Sequence, residues 1–557
     1  MHHVPIESQS DRLSWGDTVF LHLEREGMPL NVASVCIFDG PLDFKDCVRA
    51  IESKLPLIPR YLKRVVSPAF GIGLPTWEYD SEFKLRRHVL EVTLKHGTET
   101  ELKAFAASLF GKLMDRRHPL WDVTIVQGLK GGRSAIIIRL HHCLADGIAG
   151  VGIMNLLLDA SPDAPRLPRK RLKFRVPRAP DPLTSLTTGF VDSYSDFVKR
   201  ILSAFTDLLS MAQRAGAANG GNGNPNGNGN GKEFATFLPE ITAFTERLRF
   251  NVLYRGPQKF AWTDLPLAEV KAIRHTCGAS VNDVILSVVT ATIRRYCELH
   301  GDKVKGKLLR IMVPVNLRGN GSAFELGNRI SLVPVTIPLD IRDPLKLLTA
   351  THKRTEFLKG MHAAELVSLA GGLIGMFPNS LQGLAGPFAS QLPVTPFNLV
   401  CTNVPGPQFP LYLLGRKMLS CYPYVPVGGE MAVNCAILSY NGNVYVGFSG
   451  DVHAAPDLPK LETLLQESFG ELRDAAGIKP EEKKKEQKPK EKKPKAKKAM
   501  WRQPPRLSRL GKARRKVSNA AKQKSNDAAK PEASQPKPPE PAPTVEETSR
   551  IEPATVA

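Results

Sequence analysis

Paired cysteines are missing from this chain of 557 residues. Its eight cysteines stand singly, at 36, 47, 143, 277, 297, 401, 421 and 435, without the spacings of a zinc site or a dithiol redox motif. Reduced, cytosolic thiols are the expectation. Also missing is any uninterrupted apolar run near the roughly 18 to 20 residues that span a bilayer. The start, Met1-His2-His3-Val4-Pro5-Ile6-Glu7, lacks a basic segment followed by an apolar core, so neither secretion nor integral membrane insertion is expected. A serine nucleophile elbow is absent too, because Gly447-Phe448-Ser449-Gly450 does not have the G-x-S-x-G spacing. No folded nucleic-acid recognition motif accompanies the basic charge, which argues against a specific nucleic-acid partner.

What is present is a chain long enough for two cores, with 42% hydrophobic residues and more length than one core usually serves. Mixed strand-like and helix-like runs suggest two α/β units. The first, residues 1–170, has a strand-like run Val32–Phe38 and a helix-like run around Leu102 to Met114. In the second, residues 235–477, Asp264 and Pro266 can open one helix, Gly278 lies past its end, and Ser280 can open the next. Leu308–Val315 and Val444–Phe448 read as strands. Residues 171–234 form a linker: Leu186, Phe190, Tyr194, Phe197, Ile201, Phe205 and Leu208 recur at helical spacing, and a Gly/Asn-rich stretch from Gly220 to Gly231 follows.

The net charge of +22 is unevenly placed: from Lys479 onward there are 23 Lys and Arg against 10 Asp and Glu. This Lys/Glu/Pro-rich tail, residues 478–557, cannot bury enough apolar surface to fold. Within it, Met500-Trp501-Arg502 to Arg509-Leu510 mixes basic residues with Trp and Leu, which suits either a solvated tail or contact with anionic lipid headgroups.

The densest chemistry lies at His141-His142-Cys143-Leu144-Ala145-Asp146-Gly147. It follows the β-branched run Ser134–Leu140 and precedes a helix-like apolar pattern from Gly147 to Met154. A strand end is a rigid place to hold an imidazole, and an imidazole takes a proton near neutral pH. Adjacent side chains there point to opposite sides, so the two histidines have different work. Gly147 lets the backbone turn tightly, and the helix after it could favour developing negative charge.

Other blocks stand in order around this one: Leu13-Ser14-Trp15-Gly16-Asp17, Pro119-Leu120-Trp121, Val281-Asn282-Asp283-Val284, Pro314-Val315-Asn316-Leu317-Arg318, Leu326-Gly327-Asn328-Arg329 and Asn403-Val404-Pro405-Gly406-Pro407. With H-H-x-x-x-D-G they resemble the bacterial wax ester synthase/diacylglycerol acyltransferase family over roughly residues 10 to 475. The resemblance implies an α/β fold: two CoA-dependent acyltransferase-like sandwich domains forming a pseudo-dimer, with a disordered basic C-terminal tail. It implies transfer of a fatty acyl group from acyl-CoA to diacylglycerol or a long-chain alcohol, with no cofactor and no metal. A peripheral place on the inner membrane or on lipid inclusions goes with such substrates. Two other readings stay open, a same-fold transferase using another acceptor or a carrier-protein donor, and a non-catalytic lipid-surface protein.

Residue by residue, the resemblance makes His142 the general base, His141 a supporting residue and Asp146 a structural carboxylate with Arg318 as candidate partner. Gly147, Trp121, Asn282, Asp283 and Arg318 are the candidate substrate-contacting residues. Their own chemistry leaves alternatives. Ser280-x-x-Asp283 has the shape of a helix capping box, Pro119-Leu120-Trp121 suits core packing as well as a tunnel wall, and Asn403–Pro407 has strong turn chemistry.

Overall fold

The computed structural model describes residues 12–67, 74–144, 154, 157–165, 246–316, 330–360 and 397–480. Helix α1 (Trp15–Leu23) begins at Ser14, whose hydroxyl accepts from the Asp17 amide while the Asp17 carboxylate accepts from the Ser14 amide. The opening block of the sequence is therefore a capping box that fixes where this helix starts. After it come β1 (Asn31–Phe38), α2 (Phe44–Lys54), the antiparallel pair β2 (Lys63–Val66) and β3 (Thr76–Tyr79), α3 (Leu85–His88), β4 (Val89–Thr93), α4 (Glu99–Phe110), β5 (Trp121–Leu129) and β6 (Arg133–His141).

The second half runs β7 (Gln258–Pro266), α5 (Leu267–Cys277), α6 (Val281–Leu299), β8 (Leu308–Asn316), β9 (Ile330–Pro338), α7 (Pro344–Gly360) and β10 (Leu399–Pro405). It closes with β11 (Tyr412–Leu413), β12 (Arg416–Tyr424), β13 (Val433–Tyr440), β14 (Asn443–Asp451) and α8 (Lys460–Ala475). Gly278 ends α5 at φ 64°, a left-handed position that glycine occupies without a side-chain penalty. Ser280 opens α6 with a second capping box. Asp264, expected to help open α5, instead lies in β7, because β7 keeps its antiparallel pairing with β14 through Pro266 and Asn443.

Two six-stranded sheets result, ordered β11-β12-β1-β6-β5-β4 and β7-β14-β13-β10-β8-β9. The first is not built from consecutive chain. β12, from the second half, pairs antiparallel with β1 and sets Cys36 opposite Cys421, so the first half does not complete its sheet alone, whereas all six strands of the second sheet come from the second half. The second core packs Val284, Val288 and Ile293 of α6 and Leu461, Leu465 and Phe469 of α8 against strand residues such as Ile437 and Phe448. Where the sheets meet, Gly447 of β14 passes so near β12 that a β-carbon would collide with the Pro423 carbonyl oxygen.

A seam of aromatics ties the halves together. Phe110 of α4 lies against Phe260 of β7 and Tyr424 of β12, while Trp262 stacks on Tyr422 with centroids 4.9 Å apart. Across the same seam Lys103 of α4 pairs with Glu462 of α8 at 2.8 Å and sits 4.9 Å from the centre of the Trp262 ring, a combined ionic and cation–π contact.

Helix α4 stops at Phe110, short of the expected Met114, for a definable reason. Arg139 donates from Nη1 to the Leu109 and Lys112 carbonyls, and Asn31 donates from Nδ2 to the Phe110 and Lys112 carbonyls. Those side chains take up the terminal carbonyls that another helical turn would have used. Asn403 to Pro405, read as turn chemistry, belong to β10 and run parallel to β13 from Asn403 opposite Ile437 to Pro405 opposite Ser439. Sheet pairing overrides the local turn preference, and the chain leaves the strand at Gly406.

The linker helix, the Gly/Asn-rich stretch, the helix expected from Gly147 as far as Ile153 and the basic tail from Glu481 onward lie outside the described residues. Among the described residues no single helix is long and apolar enough to cross a membrane. Helices α5 and α6 reach that composition only together, bent by 103°. No cluster of three or more His, Cys, Asp or Glu able to hold a metal occurs among the described residues.

Candidate active site

Strand β6 runs out at His141, and its end is clamped from both sides. The His141 amide donates to the Leu120 carbonyl at 3.0 Å, and the His142 amide donates to the Leu30 carbonyl at 2.9 Å. The Pro119-Leu120-Trp121 block and the residue ahead of β1 thus fix the backbone that carries the histidine pair.

The two imidazoles are treated differently. His141 is fully buried, and its Nδ1 accepts the Cys143 amide at 3.1 Å. An accepting Nδ1 carries no proton, so the neutral ring holds its proton on Nε2. That atom lies 3.3 Å from Oε1 of Glu24, in an approach too bent for a well-aligned hydrogen bond and thus chiefly electrostatic. His142 is only half-buried, and Phe20 stacks on its ring with centroids 3.9 Å apart and planes 6° from parallel.

Both partners come from α1: Phe20 lies inside it and Glu24 is its C-cap. The Glu24 side chain is 3% exposed and receives the Leu30 amide at 3.1 Å and Arg116 Nη2 at 3.0 Å. Burial by itself would raise its carboxyl. The His141 contact, the Leu30 amide and Arg116 outweigh that and hold it at about 2. Next after the histidines stands Cys143, whose thiol burial pushes well above its ordinary range. A buried neutral thiol is no nucleophile.

Trp121 is 4% exposed. Its indole N–H donates to the Tyr61 carbonyl at 2.7 Å, and its ring stacks on His88 with centroids 4.7 Å apart. One side of it also borders a cavity of 460 Å³ shared with Arg87, His88, Leu113 and Arg117. Core packing and cavity lining are therefore both true of this residue.

Asn282 and Asp283 part company. Asp283 is fully buried, and its carboxylate accepts from the Ser280 amide at 2.8 Å, His352 Nδ1 at 2.9 Å and the Thr355 hydroxyl at 2.6 Å. Burial would raise that carboxyl, but these donors hold it below the usual range. The geometry is that of the capping box extended into a tie between α6 and α7, with the oxygens committed inside the protein. Asn282 is half-buried, and its Oδ1 accepts from Asn403 Nδ2 at 3.3 Å, so the Val281–Val284 and Asn403–Pro407 blocks meet in space. Asp146, Gly147 and Arg318 lie outside the described residues.

Phe20 and Glu24 were not among the residues singled out from sequence. Their four-residue spacing on a capped helix says that they share a face. Nothing local says that the face meets a loop at the end of β6.

A histidine pair at the end of β6, in a sheet that the second half of the chain completes, fits the two-domain acyltransferases of the H-H-x-x-x-D-G type. The particular family follows from comparison with known proteins. A profile of the wax ester synthase/diacylglycerol acyltransferase catalytic domain matches residues 13–285, and one of the family's C-terminal domain matches residues 326–473. The chain belongs to that family and is an acyl-CoA-dependent O-acyltransferase.

Among its relatives is a Mycobacterium tuberculosis protein described as "probable diacylglycerol O-acyltransferase tgs1". It is 27% identical over 454 residues, covering 80% of this chain and 91% of the relative. Among solved structures, the wax ester synthase/diacylglycerol acyltransferase from Marinobacter aquaeolei superposes with a TM-score of 0.58 at 23% identity, covering 84% of this chain and all of that one. The first condensation domain of the calcium-dependent antibiotic synthetase superposes at 0.53 with 15% identity, covering 84% and 95%. Both show the same two-domain α/β fold.

Proposed function

We propose that this protein moves a fatty acyl group from acyl-CoA to the free hydroxyl of diacylglycerol, giving triacylglycerol, or to a long-chain alcohol, giving a wax ester. The observation that carries the reading is His142, half-buried at a strand end, backed by a ring and next to a histidine whose Nε2 lies 3.3 Å from the Glu24 carboxylate. The names of the relatives support the acceptor class.

In this reading His142 takes the acceptor's hydroxyl proton as its oxygen attacks the thioester carbonyl. The tetrahedral intermediate collapses, the C–S bond breaks, and the imidazolium returns the proton to the departing CoA thiolate. The thioester is already activated, so the chemistry calls for no cofactor or metal. His141 supports the loop, and Asp146 is its structural carboxylate with Arg318 as candidate partner, a guanidinium offering a fork that lysine could not copy. Gly147, Trp121 and Asn282 border the substrates; Asp283 acts behind them by holding α6.

Both acceptors partition into membranes, so the enzyme works peripherally, at the inner membrane or on lipid inclusions. The two catalytic halves, residues 1–170 and 235–477, carry the chemistry. The basic tail attaches to anionic headgroups, each cation near the surface contributing on the order of 1 kcal/mol.

The test is thiol release from palmitoyl-CoA with hexadecanol, a diacylglycerol or an amine as acceptor, with identification of the lipid product. His142→Ala should lose about 10²- to 10⁴-fold in rate while melting like the parent. Full ester synthesis by that folded variant would remove His142 as the base, and product from the amine alone would replace the acceptor class.

A further inference from the structure

We infer that Glu24 is a positioning residue for His142, holding the base in register through the Leu30 backbone on one side and the His141 ring on the other. The inference rests on the reading of His142 as the base. Its geometry is a closed loop of contacts. Leu30 donates its amide to Glu24 Oε1 at 3.1 Å and accepts the His142 amide on its carbonyl at 2.9 Å. The same Oε1 lies 3.3 Å from His141 Nε2. The opposite nitrogen of that ring accepts the Cys143 amide at 3.1 Å. One carboxylate oxygen therefore touches the residue that receives the His142 amide and the ring that receives the next amide along. The backbone on both sides of the His142 α-carbon is tied to it.

Arg116 aims the carboxylate and, after the His141 contact and the Leu30 amide, helps to keep it ionised. Its Nη2 lies 3.0 Å from Glu24 Oε2 and 2.8 Å from the Leu21 carbonyl, so the guanidinium also anchors the last turn of α1, where a cation meets the helix carbonyls favourably. Phe20, four residues earlier, holds the plane of the His142 ring. Helix α1 thus fixes the base in two ways, backbone through Glu24 and ring plane through Phe20. Because a general base must lie within hydrogen-bond reach of the proton that it removes, a displacement of about 1 Å at such a loop is enough to cost on the order of 10²-fold in rate.

Charge adds a separate signature. Facing this loop are Asp17 and Glu24 from α1, Arg60 from the turn before β2, and Arg116. Removing the Glu24 charge takes a stabilising anion from the neighbourhood of the imidazolium that forms in catalysis. The acid limb of the kcat/KM profile should then move to lower pH.

The experiment compares Glu24→Leu, Glu24→Gln and His142→Ala with the parent chain, using palmitoyl-CoA and the acceptor that the parent accepts. Glu24→Leu should lower kcat about 10- to 100-fold, with KM for both substrates within about twofold. Glu24→Gln keeps an oxygen for Leu30 and His141, so it should retain most of the rate while its acid limb shifts to lower pH. A folded Glu24→Leu enzyme with parental kcat overturns the inference. So does a Glu24→Gln profile whose acid limb does not move, which also serves should the leucine variant fail to fold. His142→Ala separates the layers: if it keeps parental activity, the base assignment itself has failed, whereas loss in His142→Ala with none in Glu24→Leu removes only the role of Glu24.

Discussion

Phe20 lies flat against His142, with 3.9 Å between ring centroids and 6° between planes. A helix capped by Ser14 and Asp17 at one end of the chain thereby sets the ring plane of a histidine at the end of β6. Phe20→Ala removes that backing and should lower kcat about tenfold, within the range for a loosened catalytic group. Phe20→Tyr, which keeps the ring, should stay near the parent. Steady-state rates beside melting curves decide it: equal rates for alanine and parent would show that the stack does not hold the imidazole.

Asp283 tests structure against substrate contact. Asp283→Ala removes the carboxylate half of the capping box, leaving the Ser280 amide without its acceptor and the buried Thr355 hydroxyl with only the His352 carbonyl, for a loss of about 2 kcal/mol. The melting temperature should fall while kcat and KM per folded molecule stay unchanged. A raised KM at unaltered stability would instead make Asp283 a substrate ligand.

Arg139 and Asp122 form a pair with Arg139 6% and Asp122 9% exposed, Arg139 Nε lying 3.1 Å from Oδ2. The same guanidinium donates to the Leu109 and Lys112 carbonyls. Lysine has the charge but not the fork, so Arg139→Lys should destabilise by about 2 to 3 kcal/mol. Urea unfolding measures it, and an unchanged midpoint would mean that the carbonyls at the end of α4 find other donors.

Glu24 also predicts a pH dependence of stability. Its folded carboxyl is held at about 2, against 4.5 ordinarily. A depressed carboxyl contributes stability that is fully present above the ordinary value and is lost as pH falls toward the folded one. The stability advantage of the parent over Glu24→Gln should be constant from pH 7 to about 5, then shrink by up to about 1.4 kcal/mol per pH unit below about 4.5. A gap that stays constant down to pH 3 would show that Glu24 titrates normally. This readout is equilibrium unfolding and does not depend on activity.

Much of the fold was legible because its cues are local. Ser280 with Asp283 is a capping box in sequence and in space, since a capping box closes within four residues; Ser14 with Asp17, a family block in the sequence, closes in the same way. Gly278 stops α5 because only the backbone geometry of that residue matters there. The run Ser134–Leu140 became β6, with the histidine pair at its end as expected. Asp264 and Asn403–Pro405 came out differently, as strand rather than helix start or turn, because distant β14 and β13 claim their backbone hydrogen bonds.

The sequence by itself determined the chemistry available: two adjacent imidazoles at a strand end, blocks of a known family in order, and an α/β class set by short-range patterning. Tertiary structure decided how that chemistry is held. Only the folded chain brings β12 beside β1, Asn403 beside Asn282, and Phe20 and Glu24 against a histidine pair far along the chain. Those contacts join residues whose separation along the backbone carries no periodic signal, and burial around the aromatic seam and the Glu24 carboxylate is what fixes them.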